Sequence, residues 1–205
     1  TEGGGVFIDS QQWLKKPGSV GLPGAAVEYT IFDDDFNPVP VGETGTIYFK
    51  APEQGRFEYY KAAEKTNDTY HDNHYTMGDR GYVDEDGYLF LTGRSAETII
   101  SGGVNIYPQE IDSQIMSHPA VQEVCTIGIP NEEWGEAVHT VIELKPEVAA
   151  SDALAEEILE YAKARLPSFK RPKSIAFSDA PLPRLHTGKI LRRQVREPYW
   201  ADHEK

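Results

Sequence analysis

Cysteine is nearly absent from this sequence. Cys125, the one present, cannot close an intrachain disulfide or build a zinc site. It lies in the apolar run Val124-Cys125-Thr126-Ile127, where a small buried thiol is the plainest reading. A reducing compartment fits such usage best, and a cytoplasmic location is expected. No apolar run approaches the roughly 20 residues that a membrane-spanning helix needs. The first residues, TEGGGVFIDS, lack a basic segment followed by an apolar one, so no secretory leader is visible. They also lack an initiator Met, and an upstream part is expected to have been removed. Basic residues are scarce, 20 against 33 acidic ones, and the net charge of −13 argues against nucleic acid or an anionic membrane as a general partner. Internal repeats and low-complexity stretches are not found either.

What is there describes a globular chain. With 205 residues, 39% hydrophobic and 26% charged, it can bury a real core and form one large or two small domains. The few basic residues are concentrated: Lys163, Arg165, Lys170, Arg171, Lys173, Arg184, Lys189, Arg192, Arg193 and Arg196 make up half of them, with Asp179 the only acid in that span. A basic tail on an acidic body suits a polyanionic small ligand such as a nucleotide or CoA. A solvated face with charges at helix carbonyl ends is the alternative, and both stay open.

The pattern along the chain changes once. Residues 1 to about 93 read as β-rich, with Gly18 to Gly24 rich in turn residues, strands at Val27 to Phe32 and Thr44 to Lys50, and a hairpin turn at Asp84-Glu85-Asp86-Gly87. Short strands at such spacing suggest a small barrel or sandwich. The polar stretch from Gly55 to Asn73 is irregular or helical. From about Gly93 onward, strands and helices alternate. A helix is expected over Pro108 to Ser117, ended by His118-Pro119. Strands follow at Val121 to Ile129, ended by Pro130, and at Ala137 to Leu144. Ser151 caps a helix running to Leu166, a strand covers Ser174 to Phe177, and a basic helix lies around Ile190 to Arg196. The expected class is α+β, with one domain over 1–93 and a second over 94–205.

Several short stretches can carry chemistry. Gly93 to Asp112 reads as a polar corner, an apolar strand, and Ser101-Gly102-Gly103 as a loop opening a helix at Pro108. Such a loop can hold a nucleotide or a thin chain, or be an ordinary turn. In Tyr75-Thr76-Met77-Gly78-Asp79-Arg80-Gly81, an Asp after Gly in a tight loop can accept ribose hydroxyls or merely stabilise the turn. Thr1-Glu2 offers a hydroxyl and a carboxylate for phosphate and Mg²⁺, a pairing that means little at a chain end. Trp134 and Phe169 sit in polar loops, Phe169 followed by Lys170 and Arg171; an aromatic beside a guanidinium suits an adenine ring bearing phosphates, though an isolated Trp is also a common core residue. Lys189 follows Gly188 in Pro183-Arg184-Leu185-His186-Thr187-Gly188-Lys189, a mobile point charge that is not part of a phosphate-binding P-loop.

In order and spacing these motifs resemble those of the adenylate-forming superfamily, which comprises acyl-CoA synthetases, luciferases and peptide-synthetase adenylation domains. Ser-Gly-Gly-Val-Asn-Ile-Tyr-Pro is most similar to the acyl-CoA synthetase branch. The resemblance covers the whole chain. It implies a β-barrel-like remnant of a large adenylating domain over 1–93, followed by a mobile α+β lid over 94–205. It further implies an ATP-dependent, AMP-forming acid–thiol ligase of fatty-acid metabolism, with Mg²⁺ as cofactor. Thr1 would touch the nucleotide phosphates and Glu2, counted with the catalytic residues, would bind the metal. Asp79 and Arg94 would hold the ribose, with Met77 standing where a Thr is usual. Ala96 would be the hinge, where many relatives carry Asp or Lys. Gly102 and Gly103 would line the pantetheine tunnel, and Trp134, Phe169 and Arg171 would hold the adenine of CoA. Lys189 would bridge the acyl carboxylate and the α-phosphate during adenylation, with Leu185 replacing a Thr of the motif. The upstream phosphate loop and acyl pocket are not in these residues, so a missing N-terminal part, in cis or as a separate subunit, is expected as a partner. The alternatives are a carrier-protein-loading or luciferase-like enzyme, and a non-catalytic module or subunit that kept the fold.

Overall fold

The structure is a computed structural model describing residues 5–24, 27–52, 55–201 and 203. The chain forms two compact units, Thr1–Ala96 and Glu97–Lys205.

The first unit contains β1 (Val6–Phe7), α1 (Ser10–Lys15), β2 (Ser19–Pro23), β3 (Tyr29–Phe32), β4 (Gly45–Lys50), α2 (Ala63–Thr69), β5 (Tyr70–His71), β6 (His74–Val83) and β7 (Leu89–Arg94). Its strands form one antiparallel sheet in the order β1-β2-β7-β6-β4-β3, with β5 added on β6. Alternation in β4 puts Ile47 and Phe49 in a core with Ile31, Tyr75 and Leu89. Residues 19–23, expected as turn, form β2. Ser19 Oγ donates to the Leu89 carbonyl at 2.9 Å and accepts from the Gly21 amide at 2.9 Å, which carries the strand across a register shift. Gly21 has φ +110°, and a Cβ there would lie 1.9 Å from the Phe7 carbonyl oxygen, so glycine serves the close approach of β1. The short helix α1 escaped the sequence reading, although Asp9 and Gln12 supply a complete capping box.

The second unit contains β8 (Ile99–Ser101), β9 (Val104–Ile106), α3 (Pro108–Ile115), β10 (Val121–Asn131), β11 (Gly135–Leu144), α4 (Asp152–Lys163), β12 (Ser174–Phe177) and α5 (Arg192–Trp200). Its sheet runs β10-β11-β8-β9, with β12 parallel to β11. Both sheet faces are covered. Val124, Val138 and Ile142 pack with Ile111, Ile115, Ile158 and Ala162 of α3 and α4. Cys125, Ile127 and Val141 point to the opposite face and meet Val195 of α5. Each fully buried isoleucine contributes about 1.5–3 kcal/mol.

Four boundaries differ from the sequence reading, each for a local reason. Gly102 and Gly103, φ +58° and +78°, form the two-residue turn of the β8–β9 hairpin, so a strand separates them from the helix at Pro108. Pro130 lies inside β10, which occupies a sheet edge where a missing N–H is tolerated. Helix α4, capped by the Ser151 hydroxyl, ends at Lys163 rather than Leu166. Helix α5 starts after the Lys189 loop and continues through Pro198 to Trp200.

Candidate functional site

Asp79 and Arg94 are cross-strand neighbours on β6 and β7, and Arg94 Nε donates to Asp79 Oδ1 at 3.1 Å. Asp79 does not sit in a tight loop. Between the pairs Tyr48–Thr76 and Thr46–Arg80, β6 carries two more residues than β4, so Met77-Gly78-Asp79 bulges from the ladder. Gly78 takes φ +78°, and its amide donates to Thr76 Oγ1 at 3.0 Å while that hydroxyl donates to the Ile47 carbonyl. The bulge holds a carboxylate and a guanidinium, both part-exposed, where ring hydroxyls of a ligand could be met by an acceptor and a donor. Ala96 lies in a single 3-10 turn, Ser95–Glu97, and is the last residue of the first unit.

In the second unit, the hairpin tip and the β10–β11 turn meet. The Gly102 amide donates to the Trp134 carbonyl at 2.9 Å, and a Cβ on Gly102 would fall 2.6 Å from Trp134 Cε3. The indole is 53% exposed, held by a loop in which Asn131 Oδ1 accepts the Glu133 and Trp134 amides. Gly103 faces open space: among the described residues, none comes within 4 Å of where a Cβ would stand. Phe169 and Arg171 belong to a separate 3-10 turn after Pro167. Phe169 is exposed with Lys170 above its ring, and Lys170 pairs with Glu110 of α3. Arg171 Nε donates to the Leu166 carbonyl at 2.9 Å.

Lys189 stands on a closed loop. Arg184 and Ile190 form an isolated bridge, the Leu185 amide donates to the Lys189 carbonyl at 2.8 Å, and the Gly188 amide to the Leu185 carbonyl at 2.8 Å. Gly188 takes φ +88°. Lys189 is exposed, and among the described residues it has no carboxylate partner. Thr1 and Glu2 lie outside the described residues, so the phosphate and Mg²⁺ contacts read from sequence have no geometry here.

The remaining basic residues of the tail are largely committed to acids of the chain itself. Lys163 pairs with Glu160, Lys170 with Glu110, Arg184 with Glu123, Arg193 with Glu197 and Arg196 with Glu136. Arg192 is the most enclosed, its side chain 12% exposed. It donates to Asp112 Oδ2 at 2.8 Å, to Glu97 Oε2 at 3.1 Å and to the Thr126 carbonyl at 2.5 Å. Burial pushes the Asp112 carboxyl above the usual carboxylate range, opposed by Arg192. Burial also works against the charge of Arg192, but Asp112 and then Glu97 outweigh it and keep the guanidinium protonated. Burial pushes the nearby Cys125 thiol up to about 12, so it is no nucleophile at neutral pH. The sequence reading counted Arg192 as one charge among ten. No local signal links it to Asp112, 80 positions away, or to Glu97.

Comparison with known proteins follows the same lines. Residues 110–189 match the family model of the AMP-binding enzyme C-terminal domain. A long-chain-fatty-acid–CoA ligase of Mycobacterium tuberculosis is 38% identical over 200 residues, covering 97% of this chain and 38% of that protein. A fatty acid–[acyl-carrier-protein] ligase of Streptomyces coeruleorubidus is 35% identical over 184 residues, covering 90% and 34%. Among solved structures, ATP-bound MatB from Rhodopseudomonas palustris matches with a TM-score of 0.79 at 32% identity, over 92% of this chain and 37% of that one. The chain thus spans under two fifths of the length of these relatives. The mixed α+β fold, the motif order and these likenesses agree, and the chain belongs to the adenylate-forming enzyme superfamily, whose C-terminal domain it contains.

Proposed function

We propose that this chain supplies the C-terminal part of an acyl-CoA synthetase. In the first step a carboxylate oxygen of the acid attacks the α-phosphorus of ATP, and pyrophosphate leaves. In the second, the thiolate of CoA attacks the acyl carbon and AMP leaves. Residues 1–93 are read as the end of the adenylating domain and 94–205 as a lid that turns at Ala96 between the steps. Lys189 neutralises charge developing between carboxylate and α-phosphate. Asp79 and Arg94 hold the ribose. Gly102, Gly103, Trp134, Phe169 and Arg171 receive CoA. Thr1 and Glu2 would meet the phosphates, with Glu2 as ligand of Mg²⁺, whose charge would assist phosphoryl chemistry when bound. An N-terminal segment with the phosphate loop and acyl pocket is the required partner.

The observation that carries this reading is the Asp79–Arg94 pair: two motifs 15 positions apart in sequence are hydrogen-bonded at one bulge. Met77 does not disturb that pair. The test separates the half-reactions in the full-length ligase. Lys189→Ala is expected to lower acyl-adenylate formation by about 100-fold or more while thioester formation from supplied adenylate stays near wild type. Equal losses in both steps would refute the division of labour.

Likeness to the carrier-protein ligase supports one second reading, in which the acceptor thiol belongs to a protein-bound pantetheine. Saturable dependence of AMP release on free CoA, lost in Trp134→Ala, favours CoA. Release driven only by a carrier protein favours the other.

A further inference from the structure

Arg192 stands three positions after Lys189. The lysine loop has a closed stem, with the Leu191 amide donating to the Pro183 carbonyl at 2.7 Å and the Arg184–Ile190 bridge above it. Arg192 follows the stem directly as the first residue of α5. Its three nitrogens reach three separate parts of the second unit: Asp112 on α3, the Thr126 carbonyl on β10, and Glu97, where that unit begins. At the other end of the stem, Arg184 donates to the Gly188 carbonyl at 3.1 Å and pairs with Glu123, also on β10. The loop is therefore tied to the sheet on both sides of the lysine. Among the described residues, only the Arg192 side is also tied to Glu97, the residue next to Ala96.

We propose that Arg192 is a positioning residue for Lys189, coupling the lysine loop to Glu97, the residue after Ala96, so that a turn of the backbone at Ala96 carries the ammonium with it. This rests on the role proposed for Lys189. A guanidinium is suited to the task because its planar fork sends donors in fixed, divergent directions. A lysine at 192 would keep the charge and lose the geometry. An apolar residue would leave Asp112 buried without its cation.

Two measurements test it. Hydrogen exchange on the protein follows the amides of Leu185, Gly188 and Leu191, which close the loop. In Arg192→Gln these are expected to exchange about tenfold faster, while those of α4 and of the first unit keep their wild-type rates. In the full-length ligase the same variant is expected to lose about tenfold in kcat of adenylate formation with KM for ATP nearly unchanged, and Arg192→Lys to recover only part of it. Thioester formation from supplied adenylate should not move. Should Arg192→Gln fail to fold, Glu97→Gln leaves the Asp112 pairing in place and is expected to show the same pattern at about two- to threefold. Wild-type loop exchange in the folded variant, or equal loss in both half-reactions, overturns the positioning role. Unchanged adenylation in Lys189→Ala instead overturns the underlying reading of the lysine.

Discussion

At the scale of single residues, the two glycines of the β8–β9 turn do different work despite standing side by side. Gly102 is held by both φ and crowding, since its Cβ would collide with the Trp134 ring. Gly103 is held by φ alone: among the described residues, nothing comes within 4 Å of where its Cβ would stand. Replacing each with alanine separates the effects. Gly103→Ala is expected to cost about 1 kcal/mol, the ordinary penalty for a left-handed non-glycine residue. Gly102→Ala should cost about 2–3 kcal/mol, because the indole must also shift. Urea unfolding monitored by circular dichroism gives both values. A Gly102→Ala variant no less stable than Gly103→Ala would show that Trp134 does not pack as described. Neither substitution bears on the core beneath the sheet.

At the scale of elements, capping and paired charge decide where helices stop and lie. The Asp9 carboxylate accepts from the Gln12 amide at 2.8 Å while the Gln12 side chain accepts from the Asp9 amide at 3.1 Å. Helix α1 has only six residues and no buried side chain, so it depends on this cap. Asp9→Ala is expected to destabilise it by about 1 kcal/mol, seen as faster amide exchange at Trp13 and Lys16 with other amides unchanged. Helix α5 is held in another way. Arg192, Val195, Arg196 and Tyr199 recur at helical spacing, and each has a partner in the sheet or α3: Asp112, the Cys125–Val141 face, Glu136 and His139. A face that looks polar by composition is thus the docked face, and the tail's charge serves the fold as much as any ligand.

At the scale of the whole molecule, the acid response between about pH 7.5 and 5 should come from a histidine of the second unit. His139 is buried, with ring nitrogens 2.7 Å from Ser174 Oγ and 3.0 Å from Tyr199 Oη. Burial lowers its pKa below the ordinary 6.5. The unfolded chain therefore binds a proton at a pH where the folded one does not, and stability rises with pH through that window. Read downward, stability is fully present above about 6.5 and is lost as the pH falls toward the depressed folded value. Thermal unfolding followed between about pH 7.5 and 5 should show this decline, and His139→Gln should flatten it. A wild-type slope in that variant would assign the acid response to other groups.

Much of this was legible in one dimension, because the signals are local. Pro108 opening α3, Ser151 capping α4 and the strand-forming residues of β4 each act within a few residues, so the sequence alone determined most element types and the α+β class. The motifs around Asp79, Gly102 and Lys189 were equally readable, and with them the superfamily. Tertiary structure decided what those residues touch. A bulge rather than a loop presents Asp79, because two extra residues in β6 have to be accommodated beside β4. A sheet edge, invisible in sequence, allowed Pro130 to stay within its strand. The fate of the basic tail was settled the same way: whether an arginine meets solvent, a ligand or a buried acid depends on which acid lies across the sheet, and only long-range packing brought Asp112 and Glu97 to Arg192.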